Sequence, residues 1–261
     1  MRKSKSFMLE REQSLLSALK DSHNMTITEI CELFGISAAT ARRIVSKMEA
    51  WGLLVRTHGG VMYAKEVVHQ ESLDARRSSM LAEKKAIARE ARRMIEDWDN
   101  FILCGGTTCM ELAYLLMDLK NSVVTTPCVS IANVLVQNPD IKVKLPGGIL
   151  HPYMNYLVGP DTEAFFSRNF VKKAFMGADA ISVEHGITTL TALEADIDKA
   201  VIRCVNKTII MADHTKLGRI SLTKLTDIAE VDSLITDSGA PMQYITAIRN
   251  TGVEVVLVDA K

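Results

Sequence analysis

The chain has 261 residues, with 31 Lys and Arg against 31 Asp and Glu, and 48% of its residues are hydrophobic. This composition excludes a chain that is disordered over most of its length. Its five cysteines are odd in number and scattered, which argues against a disulfide framework and favours a reducing compartment, so we expect a cytoplasmic protein. Because no apolar run approaches the roughly 20 residues of a membrane helix, we expect no membrane contact.

Charge is distributed unevenly along the chain. Residues 1–65 hold ten Lys and Arg against six Asp and Glu, whereas residues 94–261 hold fourteen against twenty. Because attraction to a polyanion depends on local charge, this asymmetry favours nucleic-acid binding by the first segment. Unevenly charged solvated faces are the alternative.

The first part of the chain predicts a helix-turn-helix followed by a small β wing. Helical patterns cover about 12–20, 27–34 and 38–50. Thr26 and Glu29 form a capping-box pattern at the start of the second helix, and Gly35 is placed to end it in the left-handed conformation. After the third helix, two short apolar runs separated by a Gly-Gly pair predict a strand, a turn and a strand.

The third helical pattern predicts a DNA-recognition helix. Ala41, Val45 and Met48 recur at spacings of four and three, so they predict the buried face and leave the cations to other faces. Small residues at the start of such a helix allow close approach to base edges, and arginine binds guanine or phosphate. The predicted DNA contacts on this helix are Ala38, Ala39, Thr40, Arg42, Arg43 and Lys47. A helix used for protein contacts, or arginines that are only solvated, is the alternative.

The rest of the chain predicts a connecting segment and then an α/β domain. Residues 66–98 form the linker and a helix over Ser79–Trp98, whose apolar stripe includes Lys84. In residues 99–261 apolar strands alternate with helices, which predicts a mainly parallel sheet covered by helices. The predicted strands are 101–103, 123–126, 141–145, 174–177, 208–212, 233–236 and 253–258, and the predicted helices are 109–118, 129–137, 193–205 and 242–250.

A glycine-rich turn between a predicted strand and helix is a candidate phosphate site. Its sequence is Cys104-Gly105-Gly106-Thr107-Thr108. Glycines allow close backbone approach, the helix start offers unpaired N–H groups, and the two hydroxyls add donors. A purely structural turn is the alternative. The turn lacks the lysine of a P-loop and the spacing of a dinucleotide site.

These motifs together resemble DeoR-type bacterial transcriptional regulators. In the first part the resemblance rests on Ser37-Ala38-Ala39-Thr40-Ala41-Arg42-Arg43, Met48-Glu49, Gly52-Leu53-Leu54 and Arg56-Thr57-His58-Gly59-Gly60. In the second part it rests on Pro146-Gly147-Gly148, Val158-Gly159, the run 173–179, the run 184–189, and Ala212-Asp213-His214-Thr215-Lys216. The resemblance covers nearly the whole chain and implies a winged helix-turn-helix domain at 1–65 and an effector-binding domain at 99–261.

The resemblance also implies function. A member of this family is expected to be a regulator and not an enzyme: a repressor of a carbohydrate-utilisation operon that binds operator DNA as a homo-oligomer, dimeric or tetrameric. Its sensor domain is expected to be related to ribose-5-phosphate isomerase and to bind a phosphorylated sugar or sugar acid. No cofactor is expected, and the histidine and cysteine spacing predicts no metal site.

The resemblance assigns further residues to the two sites. It adds Ser37, Arg56 and His58 to the predicted DNA contacts. In the sensor domain it implies that Gly105, Gly106, Thr107 and Thr108 hold phosphate beside Cys104, that Gly147 and Gly148 adjoin the site, that Asp179 and Lys199 line the sugar end, and that Asp213 and Lys216 close it.

Several positions depart from the family pattern and leave the effector open. Ile44 stands where an Asp usually follows the arginine pair, and the sensor departures are Cys104, Gly105, Pro127, Cys128, His151 and Ala180. An active sugar-phosphate isomerase is one alternative, with acid–base groups among Asp179, Glu194, Asp196, Lys199 and Asp213. Ion pairing at the surface is the simpler explanation of Glu194, Asp198 and Lys199. A DNA binder without an effector is another.

Overall fold

The chain divides into two compact units, residues 1–70 and 71–261, each with a hydrophobic core of its own. The computed structural model describes residues 14–15, 18–19, 24–50, 54–57, 60–63, 73–151 and 154–260. The predicted helix at 12–20 lies mostly outside these residues. Four of its residues are described and are helical, and two of them, Leu15 and Leu19, are buried in the core of the first unit.

The first unit contains the predicted helix-turn-helix and wing. Its helices are α1 (Ile27–Phe34) and α2 (Ala38–Ala50), and its strands are β1 (Asn24–Met25), β2 (Leu54–Thr57) and β3 (Gly60–Tyr63). The strands form an antiparallel sheet in the order β1-β3-β2. Thr26 and Glu29 form the expected capping box, and Gly35 ends α1 with φ 60°. Ser37 caps α2, since its Oγ accepts a hydrogen bond from the Thr40 backbone N at 3.3 Å.

The second unit is built on a seven-stranded parallel sheet in the order β15-β14-β12-β9-β4-β5-β6. These strands are β4 (Asn100–Leu103), β5 (Ser122–Thr125), β6 (Ile141–Lys144), β9 (Val171–Met176), β12 (Val205–Met211), β14 (Ser233–Asp237) and β15 (Glu254–Val258). The helices are α3 (Leu73–Ser78), α4 (Leu81–Arg92), α5 (Thr107–Tyr114), α6 (Val129–Leu135), α7 (Pro160–Ser167), α8 (Ala192–Arg203) and α9 (Met242–Arg249). The prediction of an α/β fold with a mainly parallel sheet is confirmed.

Several elements of the second unit were not predicted. A hairpin of β7 (Ile149–His151) and β8 (Tyr156–Val158) precedes α7, and β10 (Ala180–Ser182), β11 (Gly186–Thr189) and β13 (Thr223–Thr226) form a small antiparallel sheet. These strands have three or four residues and lack a long apolar run. The sequence signal for α7 was Pro160 at its first turn with acidic residues beside it, a known start of a helix.

The predicted helix over Ser79–Trp98 is shorter in the structure and is preceded by a separate helix. Met80 has φ 51° and breaks the chain into α3 and α4. After α4 the chain turns, and Trp98 is 77% exposed with φ 67°, so it does not continue the buried stripe. The reason is local pairing of two loops: the Trp98 backbone N donates to the Lys120 carbonyl, and the Lys120 N donates to the Asp97 carboxylate.

Candidate effector cavity and DNA-reading helix

A cavity lies at the carboxyl ends of β4, β9 and β12, which are neighbours in the sheet. From β4 the chain proceeds through β5 to β6 on one side, and from β9 through β12 to β14 and β15 on the other. The strand order therefore reverses between β4 and β9, and such a reversal opens a crevice where α/β proteins bind ligands. The cavity has a free volume of about 30 Å³, which is room for about one or two water molecules.

The Gly-Gly-Thr-Thr turn forms one wall of this cavity. Gly106 precedes α5 with φ 105°, and no side chain caps the helix, so its first N–H groups are left to other partners. Gly105 has a different reason to be glycine, because a Cβ there would lie 2.8 Å from the Tyr156 ring. Thr107 and Thr108 line the cavity and are nearly buried. The wall offers backbone and hydroxyl donors, the groups that bind an oxyanion.

Carboxyl groups form the opposite wall, and of these Asp179 is buried and Glu194 is half-buried. Asp179 accepts hydrogen bonds from the Leu190 N at 3.1 Å and from the Thr189 Oγ1 at 3.0 Å, and it pairs with an Arg76 nitrogen at 2.7 Å. The same Thr189 oxygen lies 2.9 Å from Glu194 Oε2. The Thr189 hydroxyl has one hydrogen for two acceptors, so the arrangement is favoured when one of the two acids carries a proton. Burial, followed by the charge of Asp179, raises the pKa of Glu194 to about 7, in agreement with that contact.

Asp198 is a second buried acid of α8, four residues after Glu194 and on the same helix face. It accepts a hydrogen bond from the Tyr156 hydroxyl at 2.6 Å. Burial, reinforced by the neighbouring Glu194, raises the pKa of Asp198 well above its usual value. Because Asp198 is only 6% exposed, the interpretation of a surface ion pair is wrong for this residue.

Three cations complete the cavity: Arg76 of α3, Lys84 of α4, and Lys216 after β12. Lys84 is only 4% exposed and donates from Nζ to the backbone carbonyls of Arg76 and of Ser79. Burial lowers the pKa of Lys84, while the nearby Asp213 opposes that shift. Cationic groups and free backbone donors therefore share one cavity with the carboxyl wall, which suits a ligand with an anionic end and a hydroxyl-bearing end.

Seven of the effector residues predicted from the sequence line this cavity: Gly105, Gly106, Thr107, Thr108, Asp179, Asp213 and Lys216. Cys104, Gly147, Gly148 and Lys199 are not brought to it. Cys104 is buried at the end of β4, and burial raises its thiol pKa well above the usual value, contrary to the activated thiol of a redox sensor.

The Gly147-Gly148 pair serves the fold beside the hairpin. The Thr162 hydroxyl donates to the Gly147 carbonyl at 2.6 Å, and a Cβ on Gly148 would lie 2.0 Å from that hydroxyl oxygen. Lys199 lies on the other side of α8 and lines a separate surface groove with Arg203 and Lys224. The helix geometry explains this, since successive residues of a helix point about 100° apart and Asp198 faces inward.

The sequence interpretation missed Arg76 and Lys84 as cavity residues. It named Glu194 only as an acid–base alternative or a surface ion-pair partner, and Asp198 only as a surface ion-pair partner. Lys84 carried a signal, because it stood at a core-facing position of an apolar stripe, where a lysine is rare unless it has partners. Arg76 lies in a six-residue helix with no apolar period, so no pattern pointed to it.

Helix α2 has the two faces that its spacing predicted. Ala41, Val45 and Met48 are fully buried in the core of the first unit. The predicted contacts Ser37, Ala38, Ala39, Arg42, Arg43 and Lys47 are exposed, and Thr40 is half-buried. Arg56 of β2 is exposed and its guanidinium donates to the Ser46 hydroxyl of α2, which ties the wing to the helix. His58 lies outside the described residues.

The comparisons with known proteins decide the family. A sequence profile of the DeoR C terminal sensor domain matches residues 79–238, and a profile of the DeoR-like helix-turn-helix domain matches residues 11–67. The chain belongs to the DeoR family. This confirms the resemblance drawn from the motifs and makes the chain a helix-turn-helix transcriptional regulator.

Relatives of this DeoR-family chain match it along almost its full length. The HTH-type transcriptional repressor GlcR of Bacillus subtilis is 32% identical over 252 residues, which cover 96% of each chain. The putative aga operon transcriptional repressor of Escherichia coli O157:H7 is 27% identical over 251 residues, covering 95% of this chain and 93% of that protein. These names confirm the expectation of a regulator and not an enzyme.

Among solved structures, ribose 5-phosphate isomerase A from Methanocaldococcus jannaschii is similar over 53% of this chain and 55% of that protein, at 17% identity and with a TM-score of 0.40.

Two further searches of the described residues returned nothing. Among them, no group of three or more His, Cys, Asp or Glu side chains is arranged to hold a metal ion. No helix in the described part of the chain is long and apolar enough to cross a membrane.

Proposed function

We propose that this DeoR-family regulator represses a carbohydrate-utilisation operon and that a phosphorylated sugar or sugar acid, bound in the cavity at the β4–β9 crevice, controls its affinity for operator DNA. The observation that carries the proposal is the combination, in one cavity, of an uncapped helix start, two hydroxyls and two lysines with a wall of buried carboxyl groups. The names of the GlcR and aga operon repressors support the repressor role.

The phosphate end of the effector lies at the Gly105-to-Thr108 turn. Backbone N–H groups at a helix start bind phosphate by direct hydrogen bonds and by the helix dipole, and Thr107 and Thr108 add two hydroxyl donors. Lys216 supplies positive charge from the segment after β12, where Asp213 accepts from the Thr215 N at 3.0 Å and so shapes that segment.

The sugar end lies toward Asp179. A buried carboxylate that accepts two fixed donors from Thr189 and Leu190 has further acceptor capacity for ligand hydroxyl groups. A ligand that lacks the matching donor leaves this remaining acceptor capacity unmet, which costs about 1–3 kcal/mol and gives the site its selectivity.

DNA binding is assigned to the exposed face of α2. We propose that Arg42 and Arg43 contact the operator with Lys47, and that Ala38, Ala39 and Thr40, at the start of the helix, approach the base edges. Ser37, Arg56 and His58 are further proposed contacts. A homo-oligomer, dimeric or tetrameric, would bind repeated half-sites. The effector acts by its different affinity for DNA-competent and DNA-incompetent states of the protein.

The test begins with a thermal-shift screen of the full chain against phosphorylated sugars and sugar acids, each paired with its unphosphorylated form. A ligand at 100 times its Kd stabilises the protein by about 2.7 kcal/mol. Calorimetry then compares the wild type with Thr107→Val, which removes one donor and keeps the shape of the side chain. We expect binding to weaken about 10-fold to 100-fold, with operator affinity preserved.

Thr246→Val is the matched control, because Thr246 is exposed on α9 and does not line the cavity. It should bind the ligand as the wild type does. Equal affinity of Thr107→Val and the wild type would refute the phosphate assignment. Turnover of a pentose or hexose phosphate in an isomerisation assay would refute the sensor role.

A further inference from the structure

The cavity is too small for a sugar phosphate as it stands. Its free volume of about 30 Å³ compares with roughly 300–1,000 Å³ for pockets that bind small molecules. A sugar phosphate therefore enters only if a lining group moves away. The strands at the cavity and the two threonines of the turn are buried, so the group that moves must come from an element outside the sheet.

That element is α3, a six-residue helix whose Arg76 side chain reaches the carboxyl wall. The Arg76 guanidinium pairs with Asp179 at 2.7 Å, and Asp179 is only 5% exposed. Of the charged groups near Asp179, Arg76 is also the one that lowers the pKa of Glu194. A guanidinium is a flat cation with several hydrogen-bond donors. It therefore gives the carboxyl wall the donors that the hydroxyl groups of a ligand would otherwise supply.

The junction between α3 and α4 fixes Arg76 in place. Lys84 donates to the carbonyls of Arg76 and Ser79, and Met80 adopts a left-handed conformation that a non-glycine residue rarely takes. The Arg76–Asp179 ion pair, the two Lys84 hydrogen bonds and the turn at Met80 help to hold a helix that is too short to be stable alone. Such a helix moves at a smaller cost than any strand of the sheet.

From these observations we infer that Arg76 is a built-in competitor of the effector: its guanidinium occupies the sugar end of the cavity, and the effector binds by displacing it together with α3. The inference rests on the proposed function and adds its regulation. The incoming ligand must donate hydrogen bonds to Asp179 in place of the guanidinium. In the chain, α3 is the first described helix after the helix-turn-helix unit.

Hydrogen exchange of the full chain tests the role of Arg76 in holding α3 without any ligand. We compare the wild type, Arg76→Ala and Arg76→Lys, with Arg89→Ala as the control for an exposed arginine of the neighbouring helix α4 that does not line the cavity. Arg76→Ala should accelerate exchange of the α3 amides at least tenfold and leave the amides of β9 unchanged. Arg76→Lys keeps the positive charge but loses the paired donors of the guanidinium, so its exchange rate should lie between those of the wild type and Arg76→Ala. Arg89→Ala should match the wild type.

D-Ribose 5-phosphate tests the competition, with D-ribose as the negative probe. D-Ribose 5-phosphate should accelerate exchange of the α3 amides in the wild type and protect the Thr107 and Thr108 amides. It should also bind Arg76→Ala about tenfold more tightly than it binds the wild type. Unchanged α3 exchange in Arg76→Ala, or equal affinity of the two proteins for the sugar phosphate, would overturn the inference. A third outcome separates the two proposals: α3 exchanges faster in Arg76→Ala, but no variant binds any phosphorylated sugar of the screen. That outcome would refute the proposed function and support only the role of Arg76 in holding α3.

Discussion

The two units of this regulator use charged side chains in opposite ways. In the DNA-reading unit, Arg42, Arg43 and Lys47 are exposed on α2, and the buried face of that helix is apolar. In the sensor unit, Lys84 and Asp179 are 4% and 5% exposed and are held by specific partners. An exposed cation costs little to fold and attracts phosphate through water, whereas a buried charge must be compensated within the protein.

In the DNA-reading unit, binding and folding stability therefore depend on different residues, whereas in the sensor unit they depend on the same ones. Substitution of an exposed α2 cation should change DNA binding and leave the free energy of unfolding unchanged. Substitution of a buried cavity charge should change both ligand binding and stability, because its partners lose their compensation.

The double substitution Arg42→Ala and Arg43→Ala should weaken operator binding about 100-fold or more, since each contact is worth about 1–3 kcal/mol. The dependence of binding on salt should also fall, by a slope of about two, because two phosphate-attracting cations are removed. Fluorescence anisotropy at several salt concentrations measures both quantities. Urea unfolding should give the wild-type free energy. Unchanged affinity and slope would show that these arginines are only solvated, and Arg89→Ala, an exposed arginine of α4, should behave as the wild type.

Lys84→Met should destabilise the protein by about 2–3 kcal/mol in urea unfolding. Methionine fills a similar volume, so the loss of stability measures the lost hydrogen bonds. The carbonyls of Arg76 and Ser79 would no longer have the Lys84 ammonium as a donor. Lys85→Met changes the next residue, which is exposed, and should stay within about 0.5 kcal/mol of the wild type. If both variants lose the same stability, the buried position of Lys84 has no special energetic role.

The architecture followed from patterns that depend on neighbouring residues. Parallel strands are buried on both faces and therefore leave continuous apolar runs, which is why the main sheet was predictable. The cap at Thr26, the stop at Gly35 and the buried face of α2 are equally local. The short strands β10, β11 and β13 were missed because their pairing is set by tertiary contacts and not by their own sequence.

The cavity was only partly predictable for a related reason. The Gly-Gly-Thr-Thr turn can be recognised as an anion site from a short local sequence. The carboxyl wall and Arg76, in contrast, come from segments that are far apart in the chain. Arg76 and Asp179 are separated by 103 positions, and no spacing rule connects them. The choice between Lys199 and Asp198 depended on the rotation of α8 about its axis, which only packing determines.

Glu194→Gln should remove a pH dependence that the cavity creates, with an expected effect of about 1–2 kcal/mol. Glu194 has a folded-state pKa of about 7 and a usual value of 4.5, so the folded state binds more protons than the unfolded state between these values. Stability from this group is therefore present below pH 4.5 and is lost as pH rises through 7. The full difference corresponds to about 3 kcal/mol, and we expect less because the side chain is only partly buried.

Urea unfolding at pH 5 and pH 8 measures this effect of Glu194. The free energy of unfolding of the wild type should fall relative to that of Glu194→Gln at the higher pH. Parallel stability curves for the two proteins would mean that Glu194 ionises normally and that its contact with Thr189 has another explanation.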